Sequence, residues 1–186
     1  MNGGALMTGG ALMTGGASIK GGPFRRIWLL GLGNPWAGDD GVGLALLDQV
    51  CQGGLPSHVT PLAVGGAPMT ALPEDLQADW FILLDGVQAG LAVGQLCWRD
   101  PLTPSDLELT HWVAGGSHQL GVLPWLLLRQ QLGPPVGRLS LLGVELGDHP
   151  SRTGQGLSPA VDAALPVACK QLVDLLRQAE CGGAHA

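Results

Sequence analysis

The chain has 186 residues, 46% hydrophobic and 13% charged, with a formal net charge of −6 at pH 7. This length gives one domain with a substantial core, since about 150 residues already bury roughly 70% of the unfolded surface. The apolar composition excludes a disordered chain. The acidic balance and scattered Lys and Arg disfavour a nucleic-acid partner, and no apolar run reaches the ~18 residues of a membrane span.

Residues 1–22 carry GGALMT twice in tandem, at Gly3–Thr8 and Gly9–Thr14, with a fading third copy at Gly15–Ser18. The repeat is too short for a solenoid. It also lacks the basic start of a secretory signal. It is expected to be a flexible tail or a start-site artefact, because Met7 and Met13 could also initiate. The folded domain is expected over residues 23–180, with residues 181–186 a disordered C-terminus.

Ile27, Trp28, Leu29 and Leu30 form a continuous apolar run, read as a strand buried on both faces. A glycine-punctuated turn follows, carrying Asp39 and Asp40. Val42, Leu46 and Val50 then recur at helical spacing. Strand, tight loop and helix in this order place the acids at the C-terminal end of a strand, where open α/β sheets bind ligands. The plain structural role for one carboxylate is a helix N-cap, expected at Asp39. A dinucleotide fingerprint fits poorly, because Gly31-Leu32-Gly33-Asn34-Pro35-Trp36 lacks the third glycine. Two acids would also face the pyrophosphate.

Gly53-Gly54 ends the first helix. His58–Ala63 reads as a second strand, and Pro61 assigns it to an edge. Pro68 opens a short helix that Pro73 kinks or splits. Trp80–Leu84 is a second strongly buried strand, ended by Asp85 in an Asp-Gly pair whose ordinary role is a turn. Leu91–Trp98 alternates and follows too soon for a helical crossover, so it is expected to run antiparallel to its neighbour. After a polar excursion, His118 stands at the head of a largely apolar helix, residues 119–131, where a lone histidine is most simply a cap neighbour. Arg138–Val144 is a further buried strand with Glu145 at its end. Ser158 is expected to cap a final helix with Pro159 at its first position. In that helix Val161, Leu165, Ala168, Leu172 and Leu176 face inward and Pro166 makes a kink. The order argues a single-domain three-layer α/β/α sandwich on a mostly parallel five-stranded twisted sheet.

The four cysteines, Cys51, Cys97, Cys169 and Cys181, form no C-x-x-C pair, so neither a zinc knuckle nor a redox pair is visible. Cys51 and Cys169 lie on helical patterns and are expected in or near the core. A reducing, cytoplasmic setting is expected.

Asp40, Asp85 and His118 each stand where a strand ends or a helix begins. Converging on one rim, they would make an O/O/N metal site with open positions. No Ser-His-Asp or Cys-His arrangement has comparable support, and no G-x-S-x-G elbow exists.

GLGNP resembles the opening of bacterial peptidyl-tRNA hydrolases, whose motif continues into a tyrosine and a catalytic histidine. This chain has no Tyr and no His before His58, so that resemblance stops at five residues. GLGNPWAGDDGVG resembles the N-terminal motif of the hydrogenase maturation proteases, which remove the C-terminal extension of the nickel–iron hydrogenase large subunit. FILLDGV, SHQLGV, SLLGVEL and GLSPAV extend the resemblance in order, from about Ile27 to Leu176. It implies the phosphorylase/hydrolase-like sandwich, and it implies that Asp40, Asp85 and His118 are both the catalytic and the metal-contacting residues. The implied metal is nickel supplied by the substrate, and the implied partner is a hydrogenase large-subunit precursor. A monomer is the working expectation. The family usually has an acid followed by Gly-Gly-Thr after its second strand, whereas this chain has Val64-Gly65-Gly66-Ala67. A non-catalytic metal-checking chaperone of the same fold is the alternative function, and a peptidyl-tRNA hydrolase-like esterase ranks behind it.

Overall fold

A computed structural model describes residues 24–65, 77–102, 126, 137–148 and 156–180. The first apolar run forms strand β1, Ile27–Leu32, and a 3-10 turn at Gly38–Gly41 leads into helix α1, Val42–Gln52. Strands β2 (Val59–Gly65), β3 (Trp80–Val87), β4 (Leu96–Arg99) and β5 (Arg138–Glu145) follow. The C-terminal helical segment divides into α2, Pro159–Asp162, and α3, Leu165–Glu180.

The sheet has five strands in the order β2-β1-β3-β5-β4. β1 pairs in parallel with β2 and β3, and β3 pairs in parallel with β5. β4 runs antiparallel to β5. Pro61 thus lies on an edge strand, where a missing N–H costs no central ladder bond. The antiparallel expectation for the fourth strand also holds, with β5 as its neighbour.

Strict alternation divides the core between the two faces of the sheet. Ile27, Leu29, Trp80, Ile82, Leu84, Leu142 and Val144 pack with Val42, Leu46 and Val50 of α1 and Ala168, Leu172 and Leu176 of α3. Leu30, Leu32, Phe81, Leu83, Leu139 and Leu141 face the other way, where the helical residue Leu126 is buried with them. With both faces covered, the central strands have no polar side to show, which explains their uninterrupted apolar runs. The three-layer reading is met.

Several boundaries differ from those read in the sequence. β1 extends through Gly31 and Leu32, and β3 continues through Asp85 to Val87, so Asp85 lies inside the ladder. β4 begins at Leu96 instead of Leu91, because Ala92–Gln95 forms a turn, with Gln95 N–H donating to Ala92 O at 2.9 Å and Gly94 at φ +82°. The final helix breaks at Ala163-Ala164 before Pro166. The proline then sits in the first turn of α3, where its missing N–H has no intrahelical partner to lose. Cys51 is exposed on the outer side of α1, Cys169 is half-buried, and Cys97 of β4 is the buried thiol among the described residues. The tail of residues 1–22, the helix expected after Pro68, His118, the helix of residues 119–131 apart from Leu126, and residues 181–186 lie outside the described residues.

The approach of α1 to the sheet rests on Gly43. A Cβ there would stand 2.2 Å from Leu84 O and 2.6 Å from Leu32 O. Both obstacles are backbone, so relief requires moving the helix off the strand ends. Gly43→Ala should therefore destabilise the fold by about 3 kcal/mol. The measurement is a urea titration, in which the midpoint should fall at unchanged slope. An unshifted midpoint would show that the helix start yields freely.

Candidate active site

The turn after β1 is built so that backbone can pass close to backbone. Gly33 has φ +102°, and a Cβ on it would fall 1.8 Å from Asp40 O. A Cβ on Gly41 would meet Pro35 Cα at 3.0 Å. The folded turn brings Asp40 back over the end of its own strand, and its Oδ2 accepts the N–H of Asn34 at 2.8 Å. Asn34 Oδ1 in turn accepts the N–H of Trp36 at 3.0 Å.

Asp85 reaches the same rim from β3. β1 and β3 are paired up to Gly31 and Leu84, so the residue after Leu84 emerges beside the turn that carries Asp40. Asp85 Oδ1 accepts the N–H of Gly86 at 2.8 Å. Its side chain keeps a partly open face but is crowded by packed strands. That burial pushes its carboxyl well above the usual range; the Gly86 N–H lowers it, and the charge of Asp40 raises it further. The two acids expected to share a site are thus electrostatic neighbours. His118, the third expected member, lies outside the described residues, and among those residues no three metal-ligating side chains form a cluster.

Two other acids near this rim are buried for structural reasons. Asp39 does not cap the first helix, contrary to expectation. The 3-10 turn runs straight into α1, Gly41 takes the N-cap position, and neither helical start has a side-chain cap bond. Asp39 Oδ1 instead accepts the N–H of Ser158 at 2.6 Å, fastening the head of α2 to the turn. Ser158 is the N-cap residue of α2 as expected, but its own side chain makes no cap bond. Glu145, only 1% exposed, holds the loop after β3. Its Oε2 accepts the N–H groups of Ala89 and Leu91 at 2.7 and 3.2 Å, and its Oε1 accepts that of Gly147 at 2.9 Å. The sequence shows an acid at the end of this strand but no sign that backbone donors occupy it.

At the end of β2, Val64 is buried in the second core cluster. An apolar side chain packed inward stands where the resemblance leads one to expect an acid, so this position offers the rim no polar group.

No family model matches the chain. A hydrogenase expression/formation protein from Rhodobacter capsulatus, HupD, is 29% identical over 157 residues, covering 82% of this chain and 71% of that protein. The hydrogenase maturating endopeptidase HybD from Escherichia coli superposes with a TM-score of 0.68 at 27% identity, over 82% of this chain and 93% of that one. The fold is also shared with the [NiFe] hydrogenase maturation protease HycI from Thermococcus kodakarensis, at TM-score 0.65 and 18% identity, over 83% and 94% of the two chains. In sequence and in fold, the similarity runs to proteins of hydrogenase maturation.

The state of Asp85 has a measurable consequence. A carboxyl raised by folding binds its proton more tightly in the folded chain than in the unfolded one. Stability then falls as pH rises from the unfolded value towards the folded one. Asp85→Asn keeps an oxygen for the Gly86 N–H and removes the charge. In the metal-free protein it should melt at a higher temperature than wild type at neutral pH, and the two curves should converge towards about pH 3. Thermal melts across pH test this, and a constant difference at every pH would refute it.

Proposed function

We propose that this chain is an endopeptidase that removes the C-terminal extension from the large-subunit precursor of a nickel–iron hydrogenase. The observation that carries this reading is that Asp40 and Asp85 emerge side by side, from neighbouring strands β1 and β3, on the C-terminal rim of a sheet that superposes on a hydrogenase maturating endopeptidase. In this reading Asp40, Asp85 and His118 contact nickel brought by the substrate.

The donor chemistry supports that division of labour. The charge of Asp40 pushes the Asp85 carboxyl up, an opposition that a divalent cation between them would relieve. Carboxylate oxygens and one imidazole without a thiolate hold a late transition metal weakly by themselves. The precursor's own ligands therefore keep most of the metal, and this chain completes the shell. A loaded precursor offers a contact that an empty one lacks, which turns metal occupancy into selectivity. A metal held there would supply Lewis-acid chemistry, polarising the scissile carbonyl or lowering the pKa of a water towards about 7. A rim carboxylate that binds protons readily is suited to take the proton of the attacking water. This reading assigns the reaction to a reducing, cytoplasmic setting, with a monomer as the acting form.

Cleavage should require nickel in the precursor. Asp40→Asn keeps an acceptor for the Asn34 N–H, so the turn can hold while the charge is lost. Processing by Asp40→Asn, Asp85→Ala and His118→Ala should each fall by at least about 100-fold. The assay incubates purified protein with metal-free and nickel-loaded precursor side by side and reads the mass of the large subunit. Equal cleavage of both, or full activity in Asp40→Asn, would overturn this mechanism. Stable retention of the loaded precursor without cleavage would identify a metal-checking chaperone instead.

The catalytic domain is assigned to residues 23–180, with residues 1–22 dispensable. Deleting that stretch should leave melting temperature and cleavage unchanged. A loss of about 2–4 °C, equivalent to about 1 kcal/mol in a domain of this size, would show that it docks.

A further inference from the structure

Trp36 is 67% exposed and is the largest exposed apolar side chain among the described residues, which otherwise offer Val93 at 47% and Val167 at 45%. Two of these three lie at the rim that carries Asp40 and Asp85. Trp36 stands in the turn after β1. Val93 stands in the loop after β3, against Gly147 just beyond the end of β5. In the sheet, β3 with Asp85 runs between β1 and β5. The turn with Trp36 and the loop with Val93 thus flank the end of β3, which carries Asp85.

Neither is left exposed by a loose loop. The N–H of Trp36 is held by Asn34 Oδ1 at 3.0 Å, and the N–H of Ala37 by Asn34 O at 3.0 Å. The N–H of Asn34 goes to Asp40 itself at 2.8 Å. On the other side, Ala92 N–H donates to Gln95 Oε1 at 3.0 Å, Gly94 N–H to Glu145 O at 2.8 Å, and Glu145 fixes Ala89 and Leu91. Each exposed side chain sits on a segment whose hydrogen bonds run back to a rim acid. A pre-ordered aromatic presented to solvent has little conformational freedom to lose on binding, and tryptophan is among the residues that dominate binding energies.

We propose that Trp36 and Val93 are specificity-determining contacts for an extended apolar segment of the precursor flanking the scissile bond, with Trp36 the dominant one. This rests on the endopeptidase reading above. Strands two apart in a sheet are separated by about 10 Å, the length of about three extended residues. A peptide crossing the rim from one contact to the other therefore starts from the turn that carries Asp40 and passes over the end of β3 with Asp85. Contacts this far from the reacting bond act on ground state and transition state alike, so their loss raises KM with kcat kept.

The experiment measures cleavage of nickel-loaded precursor by wild type, Trp36→Ala, Trp36→Phe and Val93→Ala, with melting curves to confirm folding. Trp36→Ala should raise KM about tenfold or more with kcat within about twofold, the loss of one buried anchor. Trp36→Phe should restore most of the loss, and Val93→Ala should raise KM by a smaller factor. A KM for Trp36→Ala equal to that of wild type would overturn the proposal while leaving the endopeptidase standing. If wild type retains the precursor uncleaved, the endopeptidase reading fails and the same comparison is read as Kd. Wild type that neither cleaves nor binds the precursor defeats both.

Discussion

A side chain at position 43 would collide with the carbonyl oxygens of Leu84 and Leu32, and the geometry of the C-terminal rim follows from the closeness that its absence permits. Strands β1 and β3 are neighbours, so their ends emerge together. The chain leaving β1 must turn sharply and start a helix without drifting away from β3. Glycines at 33, 41 and 43 remove the side chains that would hold the turn off the strand ends. Asp40 and Asp85 are then forced into each other's field, and that field is part of why Asp85 resists ionisation. The same glycine pattern thus sets both the packing of α1 and the electrostatics of the site.

Acids cluster on this rim, but they do different work. Glu145 receives three backbone N–H groups, and Asp39 receives that of Ser158 at a distance of 119 residues along the chain. Charge buried in this way is balanced by oriented amide dipoles and fixes loops in place. Among the described residues, Asp85 has its neighbouring Gly86 to set against burial and against Asp40. A carboxylate whose lone pairs are taken by backbone amides has few left for a ligand, whereas one with a single amide donor keeps some. By that criterion Asp85 separates from Glu145, although both are acids near strand ends.

Much of this architecture is legible in the chain. The runs at Ile27–Leu30, Trp80–Leu84 and Arg138–Val144 identify the three central strands because a sheet covered on both faces leaves no polar alternation to confuse them. Pro61 identifies an edge, and the short interval after Asp85 identifies an antiparallel strand. What escapes is the fate of groups whose partners are distant in sequence. Asp39 has the residue type and position of an N-cap, and only the fold brings Ser158 to it. The start of β4 is displaced by a turn that Glu145 anchors from another strand. Cys51 follows a helical pattern, but a pattern of one thiol does not say which side of α1 it takes. Asp40 and Asp85 are legible as a pair because both lie at ends of strands that the apolar runs already place side by side. His118 is legible only as a helix head.

The opposite rim shows why the site can tolerate unbalanced acids. At the start of β5, Arg138 pairs with Asp100, and Asp100 Oδ1 also accepts the hydroxyl of Ser140 at 2.7 Å. Ser140 Oγ accepts the indole N–H of Trp80 at 2.7 Å. The Arg138 guanidinium lies 5.2 Å from the Trp80 ring centroid and 5.9 Å from that of Phe24. Arg138, Asp100, Ser140 and Trp80 thus each have a polar partner, and the surface around them is aromatic, so this network locks β3, β4 and β5 together. Asp79 adds to it by accepting the N–H groups of Arg25 and Arg26 at 2.8 and 2.9 Å, which fixes the approach to β1. Parallel strands share one direction, so the four of them deliver their N-terminal ends to this satisfied rim and their C-terminal ends to the acid-bearing one. Polarity of the strands therefore becomes polarity of the molecule: one end is compensated and holds the sheet, and the other can carry the repulsion between Asp40 and Asp85 that a cation would relieve.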